Sequence, residues 1–383
     1  MKYLVNVDWV EVYCRFDPLL SKDMYGNIFG ETGKHDFSLV HREYGTRIYK
    51  NVALIIYKGI DFATICYNPL SSFDNGGIMH PGMCHVKLEN YWCYREDWLV
   101  VLNHAFRSFR INPMRISRVD ICCDVQWFAC GMYAADLCQG LIKRKYYKVH
   151  QANWAAHGRD SAKITWNSLS FGSTNSPVFT RFYNKTLELK QKKDKQYIRE
   201  CWDMVKFNQD RDVWRVELSL RDTGREVIDT ETGEQFDITL EQIADRPTLE
   251  SFFLRYASHY WDIRKNTGEK RYKCPQLQMF PPTPQLFRPV QRPHLGTMGR
   301  TDKLVLKALF EIGTALPNRK EKLLMLKAIK LYQQSKRVEY CTDWEMEQWK
   351  KWAVFAVSDD DNEKTARKAA NYDAWLRELE RDM

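Results

Sequence analysis

Charged and phenolic side chains stand at every second position of one short stretch, where an ordinary strand alternates apolar and polar residues. The stretch VFTRFYNK (178–185) carries Arg181, Tyr183 and Lys185 at alternate positions, and Glu188 follows. Side chains two positions apart on a strand share a face, so the pattern predicts a phenol flanked by two cations. A tyrosine phenol has a pKa of about 10 and is a weak nucleophile until neighbouring groups activate it.

Two other stretches repeat this polar alternation. In RISRVDICCDV (115–125), Arg118, Asp120 and Asp124 share one face, and in WRVELSL (214–220), Arg215 and Glu217 do the same. If the three strands adjoin in one sheet, carboxylates, cations and the phenol meet on a common face. A hard divalent cation held by carboxylate oxygens can polarise a phosphodiester, while Arg and Lys stabilise the developing charge. The conjunction predicts a site that attacks phosphate.

Each of these elements also has a purely structural interpretation. Asp120 and Asp124 fit a solvated strand face, and Arg215 with Glu217 fits a cross-strand ion pair. Tyr183 is one of twenty tyrosines. The combination of the three strands, rather than any one of them, favours the chemical interpretation.

The elements that must position these residues are mainly strands in the first 225 residues. Stretches rich in β-branched and aromatic residues predict strands at 4–16, 47–59, 62–68, 115–127, 163–173, 178–185 and 213–220. Helical patterns intervene at about 96–110 and 131–145, and the turn GSTNSP (172–177) predicts a hairpin. The order predicts an α+β fold, with a largely antiparallel sheet and flanking helices.

The remainder of the chain changes character twice. Helical periodicity returns at 238–263 with a break near Pro247, and residues 274–300 then hold six of the thirteen prolines. We therefore predict a domain over 1–265, a proline-rich linker over 266–300 and a helical region over 301–383, basic and then acidic.

Charge is concentrated rather than spread along the chain. The net charge is +9, yet residues 264–337 alone hold 17 Lys/Arg against 4 Asp/Glu. Such a block favours contact with a polyanion, and phosphate neutralisation supplies most non-specific affinity for DNA. The predicted DNA-contacting residues of this block are Lys303, Lys307, Arg319, Lys320, Lys322, Lys327 and Lys330.

Cysteine usage and hydropathy indicate the compartment. The eleven cysteines are odd in number and include no CxxC pair, which predicts reduced thiols in a cytoplasmic protein. The first residues lack a long apolar segment, and no apolar run approaches the length needed to span a membrane.

The run SFGSTNSPVFTRFYNKTLE (170–188) resembles the signature of the replication-initiation-factor family, the rolling-circle initiators of small plasmids and related relaxases of integrative elements. RISRVDICCDV and WRVELSL resemble its Arg-x-Asp-x-x-x-Asp and Arg-x-Glu strands, and the resemblance covers about residues 1–263. It implies that Tyr183 nicks one DNA strand and becomes 5′-linked, freeing a 3′-OH that primes synthesis. The implied roles are catalysis for Arg181, Tyr183 and Lys185, Mg²⁺ or Mn²⁺ binding for Asp120, Asp124 and either Glu217 or Glu188, and DNA binding for Arg118 and Arg215.

Two features of the sequence depart from the patterns of the replication-initiation-factor family and of the relaxases. The better-known relaxases bind metal through a His-hydrophobic-His pair, which is absent among the nine histidines. Phe182 also stands where an aliphatic residue is expected.

The implied partners are double-stranded origin DNA and a single-stranded nick site, with a host helicase and a second copy of the chain as further predictions.

Three hypotheses follow from the sequence. The first is a rolling-circle initiator or relaxase of a mobile element, which is metal-dependent. The second is a DNA-binding repressor or maintenance factor that keeps the fold without catalysis, and the third is a single-strand binder with an aromatic stacking surface. Termination of a replication round needs a second cleavage, for which Tyr146, Tyr147 and Tyr256 are candidates.

Overall fold

The computed structural model describes residues 1–17, 36–72, 79–150, 153–159, 165–191, 195–282 and 287–290, with scattered positions between 305 and 329. The chain divides into two compact units, Met1–Val290 and Gln291–Met383. The first unit contains all the strands of the described residues, and it contains every residue of the polar alternation noted above.

An antiparallel sheet of ten strands forms the centre of the first unit, in the order β2-β3-β4-β5-β1-β6-β11-β10-β9-β8. These strands are β1 Tyr3–Phe16, β2 Phe37–His41, β3 Tyr49–Tyr57, β4 Ile60–Pro69, β5 Met83–Leu88, β6 Ile111–Val125, β8 Trp154–Arg159, β9 Thr165–Phe171, β10 Val178–Asn184 and β11 Trp214–Arg221. Two small sheets join β7 Tyr146–Lys148 to β14 Ile263–Lys265, and β12 Glu226–Asp229 to β13 Gln235–Asp237 and β15 Phe287–Pro289.

Seven α-helices of the described residues surround the sheet. They are α1 Asn90–Cys93, α2 Trp98–Ser108, α3 Ala134–Ile142, α4 Lys185–Gln191, α5 Gln196–Val205, α6 Leu240–Ala244 and α7 Arg246–Tyr260. On one face of the sheet, apolar residues such as Val119, Ile121 and Leu218 are fully buried. Helix α2 packs against β6, and α7 packs against β1 and β6. This layer contains the hydrophobic core and leaves the opposite face for polar residues.

The predicted α+β fold with a largely antiparallel sheet is confirmed. Strand β9 pairs with β10 as the predicted hairpin, and Gly172 in its turn has a φ of 82°, which favours glycine. The predicted helical break near Pro247 lies where α6 ends and α7 begins, with the proline in the first turn of α7.

The linker prediction needs correction over its first part. Met279 and Phe280 are buried in the hydrophobic core, and β15 pairs with β12. The prolines prevent long regular structure here, but the apolar side chains between them still pack against α7, as the contact of Phe280 with Phe253 shows. The first unit therefore extends to Val290, beyond the predicted boundary at 265.

Residues 291–300 of the predicted linker and the seven predicted DNA-contacting cations of the basic block lie outside the described residues. Those cations, Lys303, Lys307, Arg319, Lys320, Lys322, Lys327 and Lys330, remain a prediction from the sequence. Within the described part of the chain, no helix has the length and apolar character needed to cross a membrane.

Candidate active site

The three polar strands are neighbours in the sheet, as the chemical hypothesis requires. Strand β11 lies between β6 and β10. Its register sets Arg215 opposite Asp124 on one side and opposite Tyr183 on the other, while Glu217 stands opposite Arg181. Residues directly opposite in an antiparallel pair share a face, so the predicted convergence of phenol, carboxylates and cations occurs.

Tyr183 and Glu217 form the centre of this face. The Tyr183 hydroxyl donates to Glu217 Oε2 at 3.0 Å, and Arg181 Nε donates to Glu217 Oε1 at 3.1 Å. Glu217 is only 1% exposed and Tyr183 9% exposed, whereas the Arg181 side chain is 42% exposed. A nearly buried phenol and carboxylate are therefore reached from solvent on the side of Arg181.

Lys185 approaches the same phenol from the start of a helix. Strand β10 passes directly into α4, where the Asn184 side chain accepts from the Leu187 N–H at 2.8 Å and caps the helix. Lys185 is thus the first helical residue rather than a strand residue, as the alternation had suggested. Its Nζ lies 3.5 Å from the Tyr183 hydroxyl and 2.6 Å from Glu188 Oε2.

A second, largely buried cluster surrounds Arg215. Its guanidinium donates to both oxygens of Asp124, at 2.6 and 2.8 Å, and to Asp8 Oδ1 at 2.6 Å. Tyr94 donates to the same Asp8 oxygen, and Trp202 Nε1 donates to Asp124 Oδ2 at 2.7 Å. Arg215 is 0% exposed, so the predicted contact of this residue with DNA does not fit its position. It fixes the geometry of the face instead.

Arg118 heads a third cluster, nearer the middle of the sheet. It donates from Nε to Asp120 Oδ1 at 2.8 Å and lies over the Trp9 ring at 4.6 Å. Lys87 lies over the same indole at 4.1 Å. Trp9 therefore holds two partly exposed cations on the polar face.

The electrostatics of the centre keep the phenol neutral and make its partner a better base. Burial raises the pKa of Tyr183 well above its ordinary value, and the charge of Glu217 adds to that rise. Burial also raises the pKa of Glu217 above its ordinary 4.5, although the Arg181 guanidinium opposes the shift. At Asp8 burial acts in the same upward direction, but Arg215 and Lys185 outweigh it and hold its pKa below the usual range.

The predicted metal ligands do not fit a divalent cation in this arrangement. Hard cations need several carboxylate oxygens directed at one point. Here each acid is paired with its own cation: Asp120 with Arg118, Asp124 with Arg215, Glu217 with Arg181, and Glu188 with Lys185. Among the described residues no group of three or more His, Cys, Asp or Glu side chains is placed to hold a metal ion.

Several residues of the site were not found from the sequence. Asp8 lies where the pairing of β1 with β6 shifts between Val7 and Trp9, and this irregularity breaks the alternation that would have assigned its face. Tyr94 and Trp202 come from distant helical segments, where no local pattern marks them.

Tyr256, a candidate for the second cleavage, is fully buried and donates to the Gly224 carbonyl at 2.7 Å.

Comparisons with known proteins give a weak likeness to a solved structure. No family model matches the sequence, and no curated protein matches it. Among solved structures the chain is similar to the rolling circle replication initiator protein from Geobacillus stearothermophilus, at 14% identity and a TM-score of 0.40. The likeness covers 72% of this chain and 92% of that one. At this level it carries no conclusion about function.

Proposed function

We propose that this protein is a DNA strand transferase that nicks one strand through Tyr183, in the manner of a rolling-circle replication initiator. One observation carries the proposal: the Tyr183 hydroxyl donates at 3.0 Å to a buried carboxylate, Glu217, that also holds Arg181. A nucleophile within hydrogen-bond reach of a base, with that base oriented by a third group, is the arrangement of activated nucleophiles generally.

In the proposed reaction the Tyr183 oxygen attacks the phosphorus of a phosphodiester, and its proton passes to Glu217. A bond forms between the phenolic oxygen and phosphorus, and the bond from phosphorus to the 3′ oxygen breaks. The departing 3′ oxygen takes a proton from solvent and Glu217 releases to solvent the proton that it accepted, which leaves a free 3′-OH and a 5′-phosphotyrosine. Reversal by an incoming 3′-OH religates the strand.

The cations at the phenol have a distinct part in this reaction. Arg181 and Lys185 both lie beside the Tyr183 ring, at 5.5 Å from its centroid. In a site from which water is largely excluded, fixed cations stabilise the negative charge that develops on phosphate oxygens. Arg181 is the exposed member, so the scissile phosphate would approach over its guanidinium.

In place of the predicted Mg²⁺ or Mn²⁺ dependence, we propose a reaction that uses only side chains of the protein. Because each carboxylate of the site is paired with a cation, no step of the proposed reaction passes through Mg²⁺ or Mn²⁺. The stabilising charge is supplied by the chain's own Arg and Lys side chains. DNA is the proposed partner, with Arg118 and Lys87 extending the cationic face from the centre towards β5.

Non-catalytic DNA binding is the second candidate, and the ion pairing favours it to some degree. Among the acids that argued for metal chemistry, Asp124 is explained as a partner of the buried Arg215. Binding alone, however, gives no reason to set a phenol against a buried carboxylate.

Tyr183→Phe separates the two candidates. Incubated with a supercoiled plasmid carrying the cognate origin, the protein should give open circles with protein attached at the 5′ end. Tyr183→Phe should abolish both products while leaving DNA affinity nearly unchanged. Tyr272→Phe, at an exposed tyrosine without an assigned role, is the control and should nick normally. Nicking by Tyr183→Phe at the unmodified rate would exclude the assigned nucleophile.

A further inference from the structure

A cavity of about 310 Å³ opens on the apolar side of β9, away from the polar face that carries Tyr183. Leu169 of β9, which lines the cavity, stands opposite Phe182, whereas Tyr183 stands opposite Ser168 and shares the other face. The cavity is therefore separated from Tyr183 by the sheet itself. Its volume lies at the lower end of the range of about 300–1,000 Å³ that small-molecule sites occupy.

Three cations surround the mouth of this cavity. Arg144 follows α3, and Lys270 and Arg271 belong to the segment after β14; all three are exposed. Glu269 is the acid among the lining residues, so positive charge predominates. Such a mouth attracts an anion, and phosphate in particular suits the fork of an arginine.

The mouth is anchored rather than loose. The Asn266 side chain donates to the Arg144 carbonyl at 2.7 Å, which joins the segment after α3 to the segment after β14. Arg264 Nη1 donates to the carbonyls of Tyr272 and Cys274, and this fixes the turn that carries Arg271. These hydrogen bonds set the spacing of the cations before any ligand arrives.

Aromatic rings form the walls. Trp154, which is 48% exposed, Tyr147 and Phe171 all line the cavity. Arg271 lies over the Tyr147 ring at 5.2 Å, so one of the mouth cations is already held against a wall. A partly exposed indole beside fixed cations is suited to stack on a flat aromatic ring that carries a phosphate.

A buried amine completes the lining. Lys148 is nearly buried, lies over the Phe171 ring at 4.9 Å and donates to the His150 carbonyl at 2.7 Å. Burial lowers the pKa of Lys148 to about 7, against the pull of Asp262, so both protonation states are populated near neutrality. An amine in this state can donate to the acceptor atoms on the edge of a base.

We propose that this cavity binds a single nucleotide, with the base stacked on Trp154 between the aromatic walls and the phosphate held by Arg144, Lys270 and Arg271. The same chemistry is offered by a free mononucleotide and by one nucleotide of a single-stranded DNA that passes the β8 edge of the sheet. The inference does not depend on Tyr183 being a nucleophile.

Calorimetric titration of the full chain tests the inference, with dAMP, dTMP, a short single-stranded oligonucleotide and inorganic phosphate as titrants. We expect saturable binding of the nucleotides that is tighter than binding of phosphate. Trp154→Ala should weaken it about tenfold, because the substitution removes the aromatic ring on which the base stacks. Arg271→Ala should weaken nucleotide and phosphate together. The exposed Lys273, in the same turn but outside the cavity, provides the matched control Lys273→Ala, which should bind normally.

The comparison between titrants identifies the source of the ligand. Tighter binding of the oligonucleotide that Trp154→Ala weakens by the same factor as dAMP binding assigns the cavity to a DNA strand. Oligonucleotide binding that Trp154→Ala leaves unchanged, with saturable dAMP binding that it weakens, assigns the cavity to a free ligand. Absence of nucleotide binding, phosphate binding as tight as dAMP, or an equal loss in Lys273→Ala would overturn the proposal. Tyr183→Phe should bind the nucleotide unchanged, so failure here is separable from failure of the proposed nicking reaction.

Discussion

The most informative perturbation of the proposed mechanism is Glu217→Gln. Glutamine keeps the shape of the side chain and can still accept from the Tyr183 hydroxyl, but it cannot take the proton. The hydroxyl lies 3.0 Å from Oε2, within the reach of a general base. Since a positioned general base contributes about 10²–10⁴-fold to a rate, the nicking rate should fall by about that factor.

The fold should tolerate this substitution. It removes the charge from the pair with Arg181, whose side chain is 42% exposed and therefore screened by solvent. Solvent screening of Arg181 reduces what the pair contributes, and burying a neutral amide avoids part of the cost of burying a carboxylate. We therefore expect the midpoint of urea unfolding to change little while activity is lost.

The dependence on pH supplies a second readout. Glu217 must be ionised to accept the proton, and its pKa is raised by burial. The nicking rate should therefore rise with pH through a midpoint above the ordinary glutamate value of 4.5, and Glu217→Gln should lack that rise. Single-turnover formation of the covalent complex, resolved on a denaturing gel across a pH series, measures both effects.

Asp120→Asn is the matched control. Asp120 is equally buried on the same face, but its carboxylate accepts from Arg118 rather than from Tyr183. The Asp120→Asn protein should nick at nearly the rate of the unmodified protein. If Asp120 were a metal ligand, this substitution would lower the rate as much as Glu217→Gln does. Wild-type rate and pH profile in Glu217→Gln would show that the phenolic proton goes elsewhere.

Three further outcomes are expected. Arg215→Met should lower the free energy of unfolding by about 3–5 kcal/mol, measured in urea titrations, because it leaves Asp124 and Asp8 as buried charges without their main partner. Arg118→Met is the comparison, and an equally small loss of stability in both variants would contradict this expectation. The covalent phosphotyrosine product should still form in EDTA, and complete loss with recovery on adding Mn²⁺ would show that a metal displaces the arginines. Removal of residues 301–383 should weaken DNA binding and flatten the plot of log affinity against log salt by about 0.9 per lost phosphate contact; an unchanged slope would assign the basic block another role.

The strand alternation predicted correctly which side chains of the three polar strands share a face. Alternation requires only that each strand be regular, and β6, β10 and β11 are regular where they carry Asp120, Tyr183 and Glu217. Where the chain departs from regular geometry the prediction failed. The shifted pairing at Asp8 hid that residue, and the passage of β10 into α4 moved Lys185 from a strand to a helix.

The partners of the charges could not be predicted in the same way. A face that carries both arginines and carboxylates is compatible with a metal surrounded by acids or with a set of separate ion pairs. The difference depends on the relative position of side chains across strands and on groups such as Trp202, which bonds Asp124 from a distant helix. The sequence contains the charges but not these distances.

The arrangement at Tyr183 is not explained by stability alone. Buried ion pairs are often no more stabilising than apolar residues of similar volume, because desolvation offsets their attraction. The Arg215 cluster therefore already makes the face costly, and a further buried carboxylate with a phenol adds to that cost. A strand in the middle of a sheet could satisfy packing at position 183 with phenylalanine, as it does at Phe182 on the other face. The proposed reaction, in which the phenol loses its proton to Glu217 and bonds to phosphorus, would account together for the directed hydroxyl, its acceptor and the two adjacent cations.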